Sequence, residues 1–295
     1  MTSTPPLAAS LAPPSEYPSQ SLPQPTPLPT SVPSQTVHRF DVAVKANIIN
    51  PILQRPHAII FDRYSLEGSQ SLLIGIFDGI GPNGSVLAHA AAGVVRRIVR
   101  ERLDKGGMGE VSRDSMVECL QIAFEEARLA VEDFTLESVA SGCTGLVCIV
   151  HAGVIYSANL GDLRLVVGLT PLQGLSVQAL SVDCTMSNPE ERQRILETTG
   201  GGVTSIIPPL PVTRALGCVG CRPLGMCPYP DIRTYRLEEN DRIIVLASQG
   251  IFNGNRSMED MVSRLLAGVD RGMGIEKSAE KVRIWIRDTS RSMKE

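Results

Sequence analysis

The stretch that decides the interpretation of this chain is Ile-Ile-Val-Leu-Ala-Ser-Gln-Gly-Ile-Phe-Asn, residues 243–253. Its apolar, β-branched start predicts a buried strand, and the small residues that follow predict a tight turn with an apolar shoulder. A turn of this shape usually carries an acidic side chain to a metal site. Here the two positions that would carry the acids are the amides Gln249 and Asn253. The sequence therefore raises the question of whether metal-dependent chemistry survives in this chain.

Upstream of this stretch, the hydrophobic periodicity predicts strands followed by two helices. Phe40–Val44 alternates apolar and polar residues, as a half-buried strand does. His57–Phe61 and Leu72–Phe77 are apolar runs separated by a polar turn, which favours a hairpin of core strands. The apolar residues then adopt helical spacing over Ser85–Leu103 and over Asp114–Val131.

The second half of the chain is predicted to be rich in strands. The predicted strands are Gly145–Val150, Val154–Asn159, Leu163–Gly168, Val177–Leu180, Ile232–Leu237, Ile243–Ala247 and Lys281–Ile286. Short turns join the first three, so we expect these to form one antiparallel meander. Helices are predicted over Pro189–Glu197, ended by the triple glycine Gly200–Gly202, and over Met258–Leu266. The pattern indicates an α+β fold in which two sheets pack face to face with helices outside.

Residues 1–36 differ in composition from everything that follows. They hold ten of the chain's 21 prolines and a single charged side chain, Glu16. Such a segment cannot bury enough apolar surface to offset its ordering entropy. We therefore expect a disordered Pro/Ser-rich tail over residues 1–36 and one globular domain over residues 37–295. Residues 23–27 could bind a proline-reading domain, although a solvated tail is the simpler interpretation.

Charge, hydropathy and cysteine usage restrict the possible partners. A net charge of -3 gives no general attraction to nucleic acid or anionic lipid, and no apolar run is long enough for a membrane helix. We therefore expect neither a nucleic-acid nor a membrane partner, and a cytoplasmic location. The seven scattered cysteines favour reduced thiols. Cys218-Val-Gly-Cys221 lacks a fourth zinc ligand at suitable spacing, so we interpret these cysteines as loop residues.

Several short motifs follow one another along the chain. They include Phe77-Asp78-Gly79-Ile80-Gly81, Ser141-Gly-Cys-Thr144, Ala158-Asn-Leu-Gly-Asp162-Leu-Arg164, Glu191-Arg-Gln-Arg194-Ile195, Val212-Thr-Arg214-Ala-Leu-Gly217 and Leu246-Ala-Ser-Gln249-Gly-Ile-Phe-Asn253. In this order they resemble the type 2C family of metal-dependent Ser/Thr protein phosphatases. The resemblance implies a four-layer αββα β-sandwich. It also implies a pair of divalent cations at the sandwich edge, which activate a water for attack on phosphate.

By this resemblance, part of the metal site is retained. Asp78 matches the carboxylate that bridges the two metals, and Gly79 matches a carbonyl ligand. Asp162 matches an acid at a further metal position, and Glu280 aligns with the family's last acid, next to Lys281. A purely structural role in a turn stays open as an alternative for Asp78, Gly79 and Asp162.

Other positions of the site have changed their chemistry. Ile80 stands where the family has a histidine, and Gln249 and Asn253 stand where it has aspartates. The family's early Glu-Asp pair should fall near residues 54–57, where the chain reads Gln-Arg-Pro-His. Arg55 is a shifted candidate for the phosphate-binding arginine. We expect Arg214 to brace its loop through a carboxylate or carbonyls rather than to bind phosphate.

These changes lead to two hypotheses. The first is a pseudophosphatase, a binding or regulatory scaffold that needs no metal cofactor and recognises protein partners, including phosphorylated ones. The second is a divergent protein Ser/Thr phosphatase that uses Asp78, Asp162 and Glu280 with Mn²⁺ or Mg²⁺. We favour the first, because an amide oxygen brings no charge to offset a dication and Mg²⁺ in particular depends on carboxylates.

Overall fold

The structure is a computed structural model that describes residues 57–66, 69–104, 111–134, 136–170, 174–201, 212–248, 251, 257–277 and 279. Within these ranges the strands are β1 (His57–Leu66), β2 (Ser69–Ile80), β3 (Gly142–His151), β4 (Val154–Leu160), β5 (Arg164–Leu169), β6 (Ser176–Ala179), β7 (Leu216–Gly217), β8 (Asp231–Arg236) and β9 (Asp241–Ala247). The helices are α1 (Gly84–Asp104), α2 (Arg113–Glu132), α3 (Glu137–Ala140), α4 (Pro189–Thr198), α5 (Met258–Asp270) and a 3₁₀ helix over Val219–Leu224. The predicted tail over residues 1–36 and the predicted strands Phe40–Val44 and Lys281–Ile286 lie outside the described residues.

The first sheet has the strand order β1-β2-β3-β4-β8, with the short β7 beside β3. β1 and β2 form the predicted antiparallel hairpin, in a register that runs from His57 opposite Asp78 to Leu66 opposite Ser69. β3 is buried along its whole length, as expected for a central strand that is covered on both faces. This sheet therefore provides the rigid frame on which Asp78 is mounted.

The second sheet has the order β6-β5-β9, and it corrects one prediction. The expectation that Leu163–Gly168 would continue an antiparallel meander was wrong, because β4 belongs to the first sheet and β5 to the second. Gly161 lies in the link between them, with a φ of 120° that favours glycine. A glycine turn serves a hairpin and a crossing between sheets equally well, so the spacing alone could not separate the two.

Three apolar cores separate four layers. Helices α1 and α2 pack on the outer face of the first sheet, where Val95 and Phe124 join the core that contains Phe77. Leu146 and Leu165 lie in the core between the sheets, and Val262 of α5 packs on the outer face of the second sheet. This arrangement confirms the predicted α+β, four-layer αββα fold. No helix in the described ranges is both long and apolar enough to cross a bilayer.

The helix ends follow local sequence signals. Ser112 caps α2 by accepting a hydrogen bond from the Ser115 N–H, and Asn188 caps α4 by accepting one from the Glu190 N–H. At the other end of α4, the Gly201 N–H donates to the Leu196 carbonyl at 2.8 Å, with a φ of 81° at Gly201. The predicted glycine terminator of this helix is therefore confirmed.

Candidate functional site

Asp78 lies near the C-terminal end of β2, an inner strand of the first sheet between β1 and β3. The register of the sheet places His57 of β1 on one side of it and Thr144 of β3 on the other. The Asp78 residue is only 7% exposed, and the Thr144 hydroxyl donates a long hydrogen bond of 3.5 Å to the Asp78 carbonyl. Of these three neighbouring positions, one carries a carboxylate.

Gly79 is required by close packing between β2 and the start of α1. A Cβ at position 79 would lie 2.5 Å from the carbonyl carbon of Gly84, and a Cβ at position 84 would lie 2.7 Å from the carbonyl carbon of Gly79. Gly81 has a φ of 76°, and a Cβ there would lie 2.5 Å from the Ala140 carbonyl oxygen. The structural alternative for Gly79 is thus supported by its surroundings, since any side chain would separate the strand from the helix. In this motif, the Asp78 carboxylate is the side-chain group that could bind a cation.

Ile80 has become part of an apolar cluster. Its side chain is buried against Val212, Ala215, Cys218 and Met226. A histidine at this position would have to place its ring nitrogens among these apolar groups, where an unsatisfied polar atom is costly. The Ile80 side chain therefore fits the apolar packing around it, whereas a histidine would not.

Asp162 is buried in the link between β4 and β5. This link is held by the Asn159 amide, which donates to the Val182 carbonyl at 2.9 Å, and by the Cys184 N–H, which donates to the Gly161 carbonyl at 2.8 Å. A Cβ at Gly161 would collide with the side chain of Thr144, the residue that pairs with Asp78. Thr144 therefore contacts both Asp78 and the turn that carries Asp162. The structure thus brings these two predicted carboxylates to the same end of the first sheet.

A partly buried ion pair lies just beyond Asp162. The Arg164 guanidinium donates hydrogen bonds of 3.0, 3.2 and 2.6 Å to the Asp183 carboxylate. The hydrogen bond with Asp183 is the main cause that raises the pKa of Arg164 above its usual value, and the charge of Asp162 contributes as well. Arg164 also pairs in register with Ala247, near the end of β9. The strand that precedes Gln249 therefore runs towards the same edge as Asp162.

Arg55, Gln249, Asn253 and Glu280 lie outside the described residues, so their roles stay predictions. Within the described ranges there is no group of three or more His, Cys, Asp or Glu side chains that could hold a metal ion. The predicted donors that the structure describes here are the carboxylates of Asp78 and Asp162 and the Gly79 carbonyl, while the nearby Asp183 carboxylate is paired with Arg164. By themselves these described groups do not make up a two-cation centre, which needs further carboxylates.

The cysteines offer no alternative ligand set among the described residues. All seven are free, and burial raises the pKa of Cys184 and of Cys218 to about 12. Burial thus makes these two thiols less acidic than an exposed cysteine. The interpretation of Cys218 and Cys221 as loop residues was wrong for Cys221, which lies in the 3₁₀ helix over Val219–Leu224, while Cys218 precedes this helix and is buried in the apolar cluster around Ile80.

Sequence reasoning did not identify Glu191 as the centre of a buried ion-pair network. Glu191 of α4 is buried, and its carboxylate accepts hydrogen bonds from Arg214 at 2.5 and 2.9 Å, from Arg194 at 2.8 Å and from the Thr213 hydroxyl at 2.5 Å. Burial alone would raise the pKa of Glu191, but the two guanidinium groups outweigh it and lower this pKa to about 2. Arg214 also donates to the Tyr229 carbonyl at 3.0 Å, which confirms its predicted role as a loop brace. The three-residue spacing of Glu191 and Arg194 on a helix was the signal that could have revealed the network.

Comparisons with known proteins agree with this fold and these motifs. The profile of the protein phosphatase 2C family matches residues 61–266. Probable protein phosphatase 2C 48 of Oryza sativa subsp. japonica is 28% identical over 251 residues, which cover 74% of this chain and 70% of that protein. Probable protein phosphatase 2C 72 of Arabidopsis thaliana is 28% identical over 231 residues, which cover 68% of this chain and 66% of that protein.

Solved structures show the same architecture. A serine-threonine phosphatase 2C from Toxoplasma gondii matches with a TM-score of 0.63 and 16% identity, over 86% of this chain and 96% of that one. A Caenorhabditis elegans sex determining protein matches with a TM-score of 0.63 and 18% identity, over 83% of this chain and 60% of that one. Sequence identities this low support the fold alone. The match to the family profile, however, covers most of the chain. This chain belongs to the protein phosphatase 2C family.

Proposed function

We propose that this family member is a pseudophosphatase, a module that keeps the phosphatase fold and uses it for binding or regulation. The observation that carries the proposal is the surroundings of Asp78, whose neighbours in register are His57 and Thr144 rather than further acids. The sequence adds two amides, Gln249 and Asn253, at positions where the family pattern has aspartates. Gln249 and Asn253 carry no negative charge, so less charge is available to neutralise two dications.

The size of this electrostatic deficit favours a loss of catalysis. Two divalent cations bring four positive charges into a confined site, and carboxylates must offset them before a bound water becomes acidic enough to attack near neutral pH. Breaking one buried charge pair by removing a partner typically costs about 3–5 kcal/mol. Several such losses together would lower the affinity for a cation pair by many orders of magnitude.

A module of this kind would act through its surface and its cleft. The four-layer framework is well packed, so its surface is held in a fixed geometry that suits a binding partner. We propose that the partners are proteins, including phosphorylated ones, and that the module masks or positions them instead of dephosphorylating them.

One observation supports a second candidate, a divergent Mn²⁺- or Mg²⁺-dependent phosphatase. Asp78 and the turn that carries Asp162 both contact Thr144, and both carboxylates are buried. With Glu280, which lies outside the described residues, three acids could in principle support a weaker site. This candidate predicts metal-dependent turnover that requires Asp78.

The two candidates are separated by an activity assay on the intact chain. An aryl phosphate and a phosphopeptide are incubated with the protein at increasing Mn²⁺ or Mg²⁺, beside an active family member as a positive control. The matched variants are Asp78→Ala and Asp114→Ala, the latter at an exposed acid in the first turn of α2. We expect no turnover above background in any form. Metal-dependent turnover that Asp78→Ala abolishes and Asp114→Ala preserves would reject the pseudophosphatase.

A further inference from the structure

An exposed apolar patch lies where α2 ends and α3 begins. We call it the corner patch, and it consists of Phe134, Leu136, Val139 and Val219. These side chains are 38%, 85%, 48% and 37% exposed. Single exposed apolar residues are common on protein surfaces, but a group of four at one place is a feature of surfaces that bind partners.

The four residues are neighbours in the fold. Helix α3 rests on the 3₁₀ helix, and a Cβ at Gly220 would lie 3.1 Å from the Val139 carbonyl oxygen and 3.4 Å from its side chain. The Ser138 N–H donates to the Phe134 carbonyl at 2.8 Å, which folds the end of α2 onto the start of α3. Val139 therefore lies next to the 3₁₀ helix that begins with Val219, and Phe134 and Leu136 precede Val139 between α2 and α3.

The support beneath the corner patch is rigid. Arg222 of the 3₁₀ helix forms an ion pair of 2.6 Å with Glu132 in the last turn of α2. Ser138 is buried under the patch, and the backbone of Gly220 packs directly against α3. Because these elements are tied together before any partner arrives, binding would cost little conformational entropy.

The charge beside the corner patch is negative. Asp133 and Glu137 are exposed, and among the residues that the structure describes neither of them forms an ion pair. Asp133 also caps the C-terminal end of α2, whose last turn contains no basic residue. The helix dipole makes this end favourable for a cation and unfavourable for Asp133. A basic group placed beside the patch would therefore neutralise both acids and the helix end.

The end of α3, which follows the corner patch, packs against the loop that follows Asp78. The carbonyl of Ala140, the last residue of α3, packs against Gly81, and the Asn83 N–H donates to the Ser141 hydroxyl at 3.1 Å. The loop that contains Gly81 and Asn83 follows the motif that carries Asp78. A partner bound at the corner patch would thus lie close to this loop.

We propose that the corner patch binds a partner polypeptide segment that presents an aliphatic or aromatic anchor with Lys or Arg beside it. The exposed acids argue against anionic lipid, which they would repel. They also argue against a symmetric contact between two copies, because Asp133 and Glu137 would then meet the same acids of the second copy. The inference does not depend on whether the cleft is catalytic, so it can fail or succeed independently of the pseudophosphatase proposal.

A random peptide library displayed on phage, selected on the intact chain, tests this proposal. We expect the enriched sequences to combine apolar anchors with Lys or Arg. The best peptide is then synthesised and titrated by fluorescence anisotropy against the wild type and three variants. Leu136→Ser/Val139→Ser should weaken binding by about tenfold or more, because it removes the apolar contacts. Asp133→Asn/Glu137→Gln should weaken it by roughly threefold to tenfold and reduce its dependence on salt.

The control variant is Leu175→Ser, at a leucine that is 37% exposed next to β6 in the second sheet, and it should leave peptide affinity unchanged. Thermal unfolding of each variant verifies that these surface changes leave the fold intact. Selection without an enriched class, enriched peptides that lack basic residues, or an affinity that Leu136→Ser/Val139→Ser leaves unchanged would each overturn the proposal. The proposal would also be overturned if the wild type self-associates or binds vesicles and the double variant Leu136→Ser/Val139→Ser does not. Self-association would indicate a second copy as the partner, and vesicle binding would indicate a membrane.

Discussion

Two buried carboxylates in this molecule have very different surroundings. Glu191 is enclosed by Arg194, Arg214 and Thr213, all of which donate to its oxygens. Asp78 is mounted on the rigid end of β2, but the strands beside it offer His57 and Thr144. Glu191 is thus fully paired within the fold, whereas the register neighbours of Asp78 are not acids. Each side of this comparison can be tested.

The largest effect is expected from Glu191→Ala. This change leaves two guanidinium groups in a buried site without their counter-charge, so it should lower the free energy of unfolding by about 3–5 kcal/mol. Urea unfolding measures the loss. The matched control is Glu190→Ala at the exposed neighbouring position, which should change stability by about 0.5 kcal/mol or less. Equal effects of the two variants would show that the Glu191 network does not anchor the fold.

The same network should make stability depend on acid pH. The pKa of Glu191 is about 2 in the folded chain, below its ordinary value of 4.5. The unfolded chain therefore takes up a proton first, and the contribution of Glu191 is complete above pH 4.5 and is lost as the pH falls towards 2. Urea midpoints measured across this window should fall for the wild type more steeply than for Glu191→Gln. Parallel curves for the two proteins would contradict the assigned ion pairs.

A smaller effect is expected at the junction of β2 and α1. Gly79→Ala should destabilise the protein by about 1–3 kcal/mol, because the added methyl group meets the backbone of Gly84. The control is Gly93→Ala within α1, where a Cβ meets nothing within 4 Å. That change should stabilise the helix by roughly 0.5–1 kcal/mol. If Gly79→Ala is tolerated as well as Gly93→Ala, the steric explanation for Gly79 fails.

The smallest effect is expected from Gln249→Asp/Asn253→Asp. These two changes add negative charge but leave residues 54–57 without a carboxylate. We therefore expect no measurable gain in hydrolysis of an aryl phosphate at saturating Mn²⁺. A large gain would show that the early acidic pair has been placed wrongly in the sequence and that the cleft lacks only these two groups.

Much of the framework could be predicted from the sequence, because it follows from short-range patterns of apolar residues and glycines. The hairpin of β1 and β2 and the helices α1 and α2 follow from periodicity, and the end of α4 follows from its glycines. The assignment of β5 to the second sheet could not be predicted, since the turn at Gly161 fits either topology. Which sheet a strand joins depends on contacts between residues far apart in the chain.

The candidate site could likewise be predicted only in part. Asp78 and Asp162 could be identified from motifs, and the structure places both at the edge marked by Thr144. The partners of Glu191 could not be assigned, because Arg214 lies in a distant segment and only the fold brings it to α4. The apolar surroundings of Ile80 were equally hidden, since Val212 and Met226 reach it from other loops. Motifs reveal which groups are present, while the fold decides which of them meet.

The central claim is that the cleft holds too little negative charge to bind two divalent cations. Calorimetric titration of the intact chain with Mn²⁺ tests it most directly, with Asp78→Asn as the matched variant. We predict no saturable binding of a cation pair and no difference between the two proteins. Binding of two Mn²⁺ ions per chain that Asp78→Asn abolishes would contradict the claim.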